Sequence, residues 1–101
     1  MLNIAHVTRL YSDTINNGRT VEDIVRHMKS EVAELDEELA GANGPDGVVG
    51  ECIDIILCAL DAIFVHDPSI TTEDVGDIAL KKLEKWKRRY SHSVEGDRTI
   101  D

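Results

Sequence analysis

The sequence predicts an all-α fold of four helices, in which two long helices run antiparallel and carry an acidic site. Apolar residues recur at helical spacing in four separate stretches, and the alternating β-branched runs that are typical of strands are few. The chain also contains only two prolines. With 101 residues, of which 42% are apolar, it is long enough for one domain with a core. We therefore predict a single helical domain over residues 1–101, completed by association with further copies.

The first two helices are predicted over residues 3–15 and about 21–40. In the first helix, five apolar positions share one face: Ile4, Val7, Leu10, Tyr11 and Ile15. A turn signal at residues 16–18 ends this helix. Thr20 offers an N-cap for the second helix, and Asp23, three residues later, completes a variant of the capping box.

The third and fourth helices are predicted over residues 47–65 and about 73–90. A glycine-rich loop precedes the third helix, and Asp46 is available there as its N-cap. Pro68 marks the next break, after which Thr71 or Thr72 caps the fourth helix. Residues 91–101 show no apolar period, so we predict a polar tail.

The third helix is apolar on nearly every side, and such a helix is usually buried. Its charged residues are Glu51, Asp54 and Asp61, which fall within an arc of about 80° on an ideal helix. An ionised carboxylate in a dry interior is costly unless it is paired with a cation or bound to a metal ion. The sequence therefore predicts a cation against this line of acids.

The second helix supplies further acids at the edge of its predicted core face, Glu31 and Glu34. Antiparallel pairing of the second and third helices brings them opposite Glu51 and Asp54. Converging carboxylates repel one another unless a cation joins them, and hard oxygen ligands of this kind suit Mg²⁺ or Mn²⁺. A solvated, glutamate-rich face is the alternative interpretation of the second helix. The acids inside the apolar third helix favour the metal site.

The pattern Glu31-x-x-Glu34 followed by Glu51-x-x-Asp54 resembles the MazG-like all-α nucleoside triphosphate pyrophosphohydrolases over about residues 20–90. The segments SEVAEL and GECIDIIL are similar to acidic segments of that family. The resemblance implies Mg²⁺-dependent hydrolysis of (deoxy)nucleoside triphosphates between the α- and β-phosphates, which releases a monophosphate and pyrophosphate. It also implies that the four acids are the metal ligands, with Mn²⁺ as a substitute for Mg²⁺.

Three further acidic roles complete the predicted site. Glu34 is the candidate catalytic residue, because an acid beside the metal ion orients the attacking water or accepts its proton. Glu38 and Asp61 are second-tier candidates, either for an additional metal ion or for contacts with the metal ligands.

Residues 81–90 contain six of the eleven Lys and Arg residues of the chain. On a helix, Lys82, Lys85 and Arg89 form one stripe with Trp86 at its edge. Basic residues also favour a helix C-terminus because of the helix dipole, so a purely structural role is the alternative. The family resemblance implies that Lys82 and Arg89 bind substrate phosphates, within the chain or from a neighbouring subunit. Lys85 and Trp86 are second-tier candidates for substrate contacts.

The net charge of −9 disfavours binding to nucleic acid or to an anionic membrane surface. Acids interrupt the longest apolar stretch, so we predict no membrane span, and without a recognisable signal peptide we expect a cytoplasmic protein. The resemblance implies a homodimer or homotetramer that acts on a nucleotide. Two alternatives stay open: a phosphoribosyl-ATP pyrophosphohydrolase of histidine synthesis, and a non-catalytic helical interaction module on the same fold.

Overall fold

The computed structural model describes residues 3–15 and 17–92, with side chains described to residue 90. These residues form four α-helices and no strand: α1 (Ile4–Thr14), α2 (Val21–Leu39), α3 (Gly47–His66) and α4 (Thr72–His92). The prediction of an all-α chain is therefore confirmed for this part of the sequence. Each helix begins and ends within two residues of its predicted bounds. Of the predicted polar tail, residues 91 and 92 belong to α4, and residues 93–101 lie outside the described residues.

The chain divides into two compact units, Met1–Ser69 with α1, α2 and α3, and Ile70–Asp101 with α4. Within the first unit, α3 packs against both α1 and α2. The contacts of α2 with α3 show the relative direction of the two helices, since residues earlier in the sequence of α2 contact residues later in the sequence of α3. Arg19, just before α2, bonds to Asp61, whereas His27, further along α2, lies beside Cys58. The two helices are therefore antiparallel, as the sequence predicts.

A capping box lies at the N-terminus of α2 and at that of α4. The Thr20 hydroxyl accepts a hydrogen bond from the backbone N–H of Asp23 at 3.1 Å, and the Thr20 N–H donates to the Asp23 carboxylate at 3.0 Å. The predicted capping box of α2 is therefore confirmed. The same reciprocal pair joins Thr71 to Asp74 at 3.0 and 3.1 Å, which assigns the cap of α4 to Thr71.

The loop between α2 and α3 contains a hydrogen bond to an acid of α2 and a glycine in a left-handed conformation. The Glu38 carboxylate accepts a hydrogen bond from the backbone N–H of Gly44 at 2.5 Å. Gly41 adopts a φ of 95°, a left-handed conformation that favours glycine after a helix. Asp46 occupies the N-cap position of α3, but its side chain makes no capping bond. The predicted side-chain cap is wrong because the backbone of Asp46 is helical, with φ −88° and ψ −26°, rather than extended.

The core of the first unit is small. Among the described residues, the buried apolar side chains are Ile24 of α2 and Leu60 and Phe64 of α3. The prediction that α3 is buried on nearly every side is wrong for the single chain, because Val49 is 76% exposed and Ile53 is exposed as well. The neighbours α1 and α2 cover only part of the circumference of α3. None of the helices in the described part of the chain has the length and apolar character needed to cross a membrane.

Candidate metal centre and the adjoining cleft

Three acids from two helices meet in the first unit. Glu31 comes from α2, and Glu51 and Asp54 come from α3. One carboxylate oxygen from each residue lies within 4.8 Å of the others. A hard divalent cation binds oxygen at roughly 2.0–2.6 Å, so oxygens this close to one another can share one ion after small side-chain shifts. We refer to Glu31, Glu51 and Asp54 as the acidic triad.

Two carboxylate oxygens of the triad are buried without a hydrogen-bond partner. Glu51 is only 6% exposed, and its Oε2 has no partner among the described residues. The Oε2 atom of Glu31 is in the same situation, and the side chain of Glu31 is 13% exposed. A buried oxygen of this kind is unfavourable unless it is protonated or bound to a cation. The donor set of the triad therefore fits a hard divalent metal ion.

The electrostatics of the triad follow from the same crowding. Burial, together with the negative charges of Glu34 and Glu31, raises the pKa of Glu51 to about 7. Burial also raises the pKa of Glu31, with additional contributions from Glu34 and Asp54. A proton consequently occupies Glu51 in a substantial fraction of metal-free molecules at neutral pH.

Glu34, the fourth predicted ligand, is not one of the three converging acids. Its side chain is exposed on α2, yet it lies close enough to raise the pKa of both Glu31 and Glu51. The structure thus brings three of the four predicted metal ligands together and leaves Glu34 beside them in contact with solvent. Its predicted role toward a water molecule stays a prediction.

Asp61, a second-tier candidate on the same helix, is engaged elsewhere. Arg19 donates to both of its carboxylate oxygens, at 2.6 Å and 2.9 Å, and the Ser12 hydroxyl donates at 2.5 Å. The hydrogen bonds from Arg19 hold the pKa of Asp61 below its usual range. These bonds use both oxygens to join α1, the following turn and α3. They disfavour the interpretation of Asp61 as an additional metal ligand.

Glu38, the other second-tier acid, also has a structural partner. Its Oε2 atom accepts the hydrogen bond from Gly44 in the α2–α3 loop. Glu38 is therefore tied to the loop, and it is not among the three acids that converge.

An open cleft of about 500 Å³ lies between α1 and α3, and His27 of α2 lines it as well. Four of the five residues of the predicted apolar face line this cleft, and they are less buried than Thr8 and Ser12, the buried residues of α1. The other walls include the Arg19–Asp61 ion pair, His27 and Cys58. The apolar side chains from this face are Ile4, Val7 and Tyr11 of α1 and Ile15, which directly follows α1. A mostly apolar cleft with a few polar groups is typical of small-molecule sites.

His27 joins the cleft to the triad. Its Nε2 lies 3.0 Å from Oε1 of Glu31, and its Nδ1 lies 4.0 Å from the thiol of Cys58. Both His27 and Cys58 line the cleft. Sequence reasoning missed His27 and Arg19. The spacing of four residues between His27 and Glu31 offered a weak signal, whereas nothing in the sequence pattern pairs Arg19 with Asp61.

The basic candidates lie on α4, in the second unit. Lys82 and Trp86 are exposed, and Lys85 and Arg89 are half-buried. Their predicted contacts with phosphate or base stay predictions.

The arrangement has the parts that a metal-dependent site for a charged small molecule needs. The triad offers hard oxygen ligands, and the cleft beside it offers apolar surface and polar groups for the rest of a ligand. No protein-family model matches the chain, and neither a curated protein nor a solved structure matches it. The case for a function therefore depends on the residues of this chain and their geometry.

Proposed function

We propose that this chain is a Mg²⁺-dependent pyrophosphohydrolase with a MazG-like fold, acting on (deoxy)nucleoside triphosphates. The observation that carries the proposal is the acidic triad, in which two buried carboxylate oxygens have no hydrogen-bond partner in the described part of the chain. These oxygens suit Mg²⁺ or Mn²⁺, which bind carboxylates together with waters and substrate phosphates. The same three residues belong to the acid pattern by which the sequence resembles the MazG-like family.

The triad residues Glu31, Glu51 and Asp54 would hold the metal ion. When bound, Mg²⁺ would neutralise the charge of the polyphosphate and lower the pKa of a bound water. Glu34 is exposed beside the triad, where its carboxylate would orient a water molecule or accept its proton. The products would be a nucleoside monophosphate and pyrophosphate.

The cleft supports the nucleotide part of the proposal. Its volume of about 500 Å³ lies within the range of small-molecule sites, and His27 places it next to the triad. Tyr11 contributes an exposed aromatic ring to the wall, which offers a surface for a planar base. Lys82 and Arg89 of α4 are the proposed residues for binding the terminal phosphates.

We also propose that the chain works as a homodimer or homotetramer. In the single chain, large apolar residues of α3, including Val49, Ile53 and Ile56, are exposed. An apolar surface of this kind is typical of an interface between copies.

The test of the proposal is pyrophosphate release from a panel of ribo- and deoxynucleoside triphosphates and phosphoribosyl-ATP, with and without Mg²⁺. We expect metal-dependent release of pyrophosphate and a monophosphate from at least one triphosphate. Glu51→Gln should abolish it, and Asp36→Asn is the matched control because Asp36 is an exposed acid of α2 outside the triad.

Other outcomes of this assay would redirect the assignment. Release of orthophosphate would contradict the cleavage position. Turnover of phosphoribosyl-ATP alone would assign the chain to histidine synthesis. A folded chain that neither binds Mn²⁺ nor releases any product would be a non-catalytic interaction module.

A further inference from the structure

We propose that His27 is a positioning residue of the metal centre, which fixes the carboxylate of Glu31 so that its other oxygen faces the cation. The inference rests on the proposed metal site and adds a residue that does not belong to the acid pattern. In this role His27 need not touch the metal ion. Its effect would be exerted through Glu31.

The two oxygens of Glu31 have different surroundings. Oε1 lies 3.0 Å from Nε2 of His27, whereas Oε2 is buried and has no hydrogen-bond partner among the described residues. One oxygen is therefore held in place, and the other is left for a ligand. Hydrogen bonds to ligating groups orient them and tune metal affinity, and removing such a partner typically weakens binding.

The imidazole of His27 is itself oriented from the opposite helix. An ionised carboxylate only accepts hydrogen bonds, so Nε2 carries the proton that is donated to Glu31. In the neutral ring Nδ1 is then an acceptor, and it faces the thiol of Cys58 at 4.0 Å, a weak donor. The chain Cys58–His27–Glu31 connects α3 to α2 at the point where the triad adjoins the cleft.

A merely structural role for His27 makes a different prediction. The His27 side chain is 64% exposed, and exposed side-chain pairs within one helix contribute little to stability. Substitution of His27 should therefore leave the melting temperature of the metal-free protein nearly unchanged. Metal affinity, in contrast, should respond if His27 orients a ligand.

The experiment is a titration of the full chain with Mn²⁺, followed by the electron paramagnetic resonance signal of free Mn²⁺. Glutamine and asparagine form a matched pair at this position. The amide nitrogen of Gln is as many bonds from Cα as Nε2 of histidine, whereas that of Asn corresponds to Nδ1. His27→Gln retains a donor for Glu31, and His27→Asn removes it. His66→Asn is the control, because His66 is exposed and has no side-chain hydrogen bond or ion pair within the described residues.

We expect His27→Asn to weaken Mn²⁺ binding about 10-fold, at the lower end of the range for outer partners of metal ligands. His27→Gln and His66→Asn should bind Mn²⁺ nearly as the wild type does. Cys58→Ala should weaken binding less than His27→Asn and should have no further effect in that variant. Circular dichroism verifies that each variant is folded. If His27→Asn does not fold, Cys58→Ala still tests the Cys58–His27–Glu31 contacts independently.

The outcomes separate this inference from the function on which it rests. A wild-type chain that binds no Mn²⁺ overturns the proposed metal site itself. Normal Mn²⁺ affinity in folded His27→Asn overturns the positioning role alone. Equal losses in the Gln and Asn variants would also contradict it, since the donor at the Nε2 position would then be irrelevant.

Discussion

Glu51 and Asp61 are acids of the same apolar helix, ten residues apart, and they have opposite surroundings. Asp61 accepts hydrogen bonds from Arg19 and Ser12, and its pKa lies below the usual range. Glu51 is more deeply buried, has one oxygen without any hydrogen-bond partner in the described chain, and has a pKa raised to about 7. The sequence pattern treats both as charged residues in an apolar helix. Their contacts show that one is a structural ion pair and the other an unsatisfied group.

The difference is informative because folding alone does not favour an unsatisfied buried acid. A structural acid finds a cation within its own fold, as Asp61 does with Arg19. An acid that folding leaves unsatisfied, and whose pKa is strongly raised, is a candidate for a functional site. Substitution of each acid tests whether Asp61 belongs to a stabilising ion pair and Glu51 to a binding site.

The largest expected effect is on catalysis, from Glu51→Gln. Loss of a proposed metal ligand should reduce kcat/KM by more than the roughly 10–100-fold that an outer partner costs. The melting temperature of the metal-free protein at pH 8 should stay the same or rise, because the substitution removes repulsion with Glu31 and Glu34. Pyrophosphate release and thermal unfolding of the same preparation measure both. Unfolding of the variant would mean that Glu51 is structural.

Asp61→Asn should have the reverse effects. It removes the charge that Arg19 faces in a mostly buried pair, so we expect unfolding to become easier by about 2 kcal/mol, between the ranges for surface and buried ion pairs. Mn²⁺ affinity should stay within a factor of two of the wild type, a bound of about 0.4 kcal/mol. Urea denaturation and Mn²⁺ titration provide the measurements.

A second substitution sharpens the Asp61 result. Arg19→Gln combined with Asp61→Asn should lose less stability than the sum of the single changes, because no uncompensated charge remains. A large loss of Mn²⁺ affinity in Asp61→Asn at unchanged stability would contradict the division between the two acids.

Sequence reasoning succeeded where the relevant information is periodic and local. Helical spacing predicted the helices, and Thr20 with Asp23 predicted the start of α2. Periodicity also placed Glu31, Glu51 and Asp54 on faces that an antiparallel pair brings together. These features depend on the angle of a residue about its own helix axis, which sequence determines well.

Two of the features that sequence reasoning missed, the partner of Asp61 and the cleft, depend on contacts between different elements. Arg19 bonds to Asp61 from the turn between α1 and α2. Helical periodicity does not predict where the side chain of a turn residue points. The cleft is lined by residues of α1 and α3 that lie far apart in the sequence, such as Tyr11 and Leu57. Periodicity identifies the apolar face of a helix but not the neighbour that covers this face. It therefore could not predict the cleft or the partner of Asp61.

The two acids should also give opposite pH dependences to stability. In the metal-free chain, Glu51 keeps a proton up to about pH 7, whereas the unfolded chain releases it near pH 4.5. The folded state therefore binds more protons in this window, and the contribution of Glu51 to stability falls as the pH rises through it. For Asp61 the pKa is lowered, so its contribution is complete above about pH 3.8 and is lost as the pH falls below that value.

Thermal unfolding in EDTA, from pH 4.5 to 8, measures the Glu51 contribution as the difference between the wild type and Glu51→Gln. The melting temperature of Glu51→Gln should rise relative to that of the wild type up to about pH 7, and the difference should then level off. A difference that stays constant over the whole range would show that Glu51 titrates normally in the folded chain.

Glu38 should show the smallest effect and completes the comparison with a third kind of acid. Its carboxylate is satisfied by the backbone N–H of Gly44 rather than by a cation. Glu38→Ala should lower the free energy of unfolding by about 1 kcal/mol, the typical value of one hydrogen bond, and Glu38→Gln should lower it less because the amide oxygen still accepts. Urea denaturation resolves the two variants, and Mn²⁺ affinity should be unchanged in both. If Glu38→Gln weakens Mn²⁺ binding as strongly as Glu51→Gln does, Glu38 belongs to the metal site, and an acid already hydrogen-bonded within the fold can still serve as a ligand.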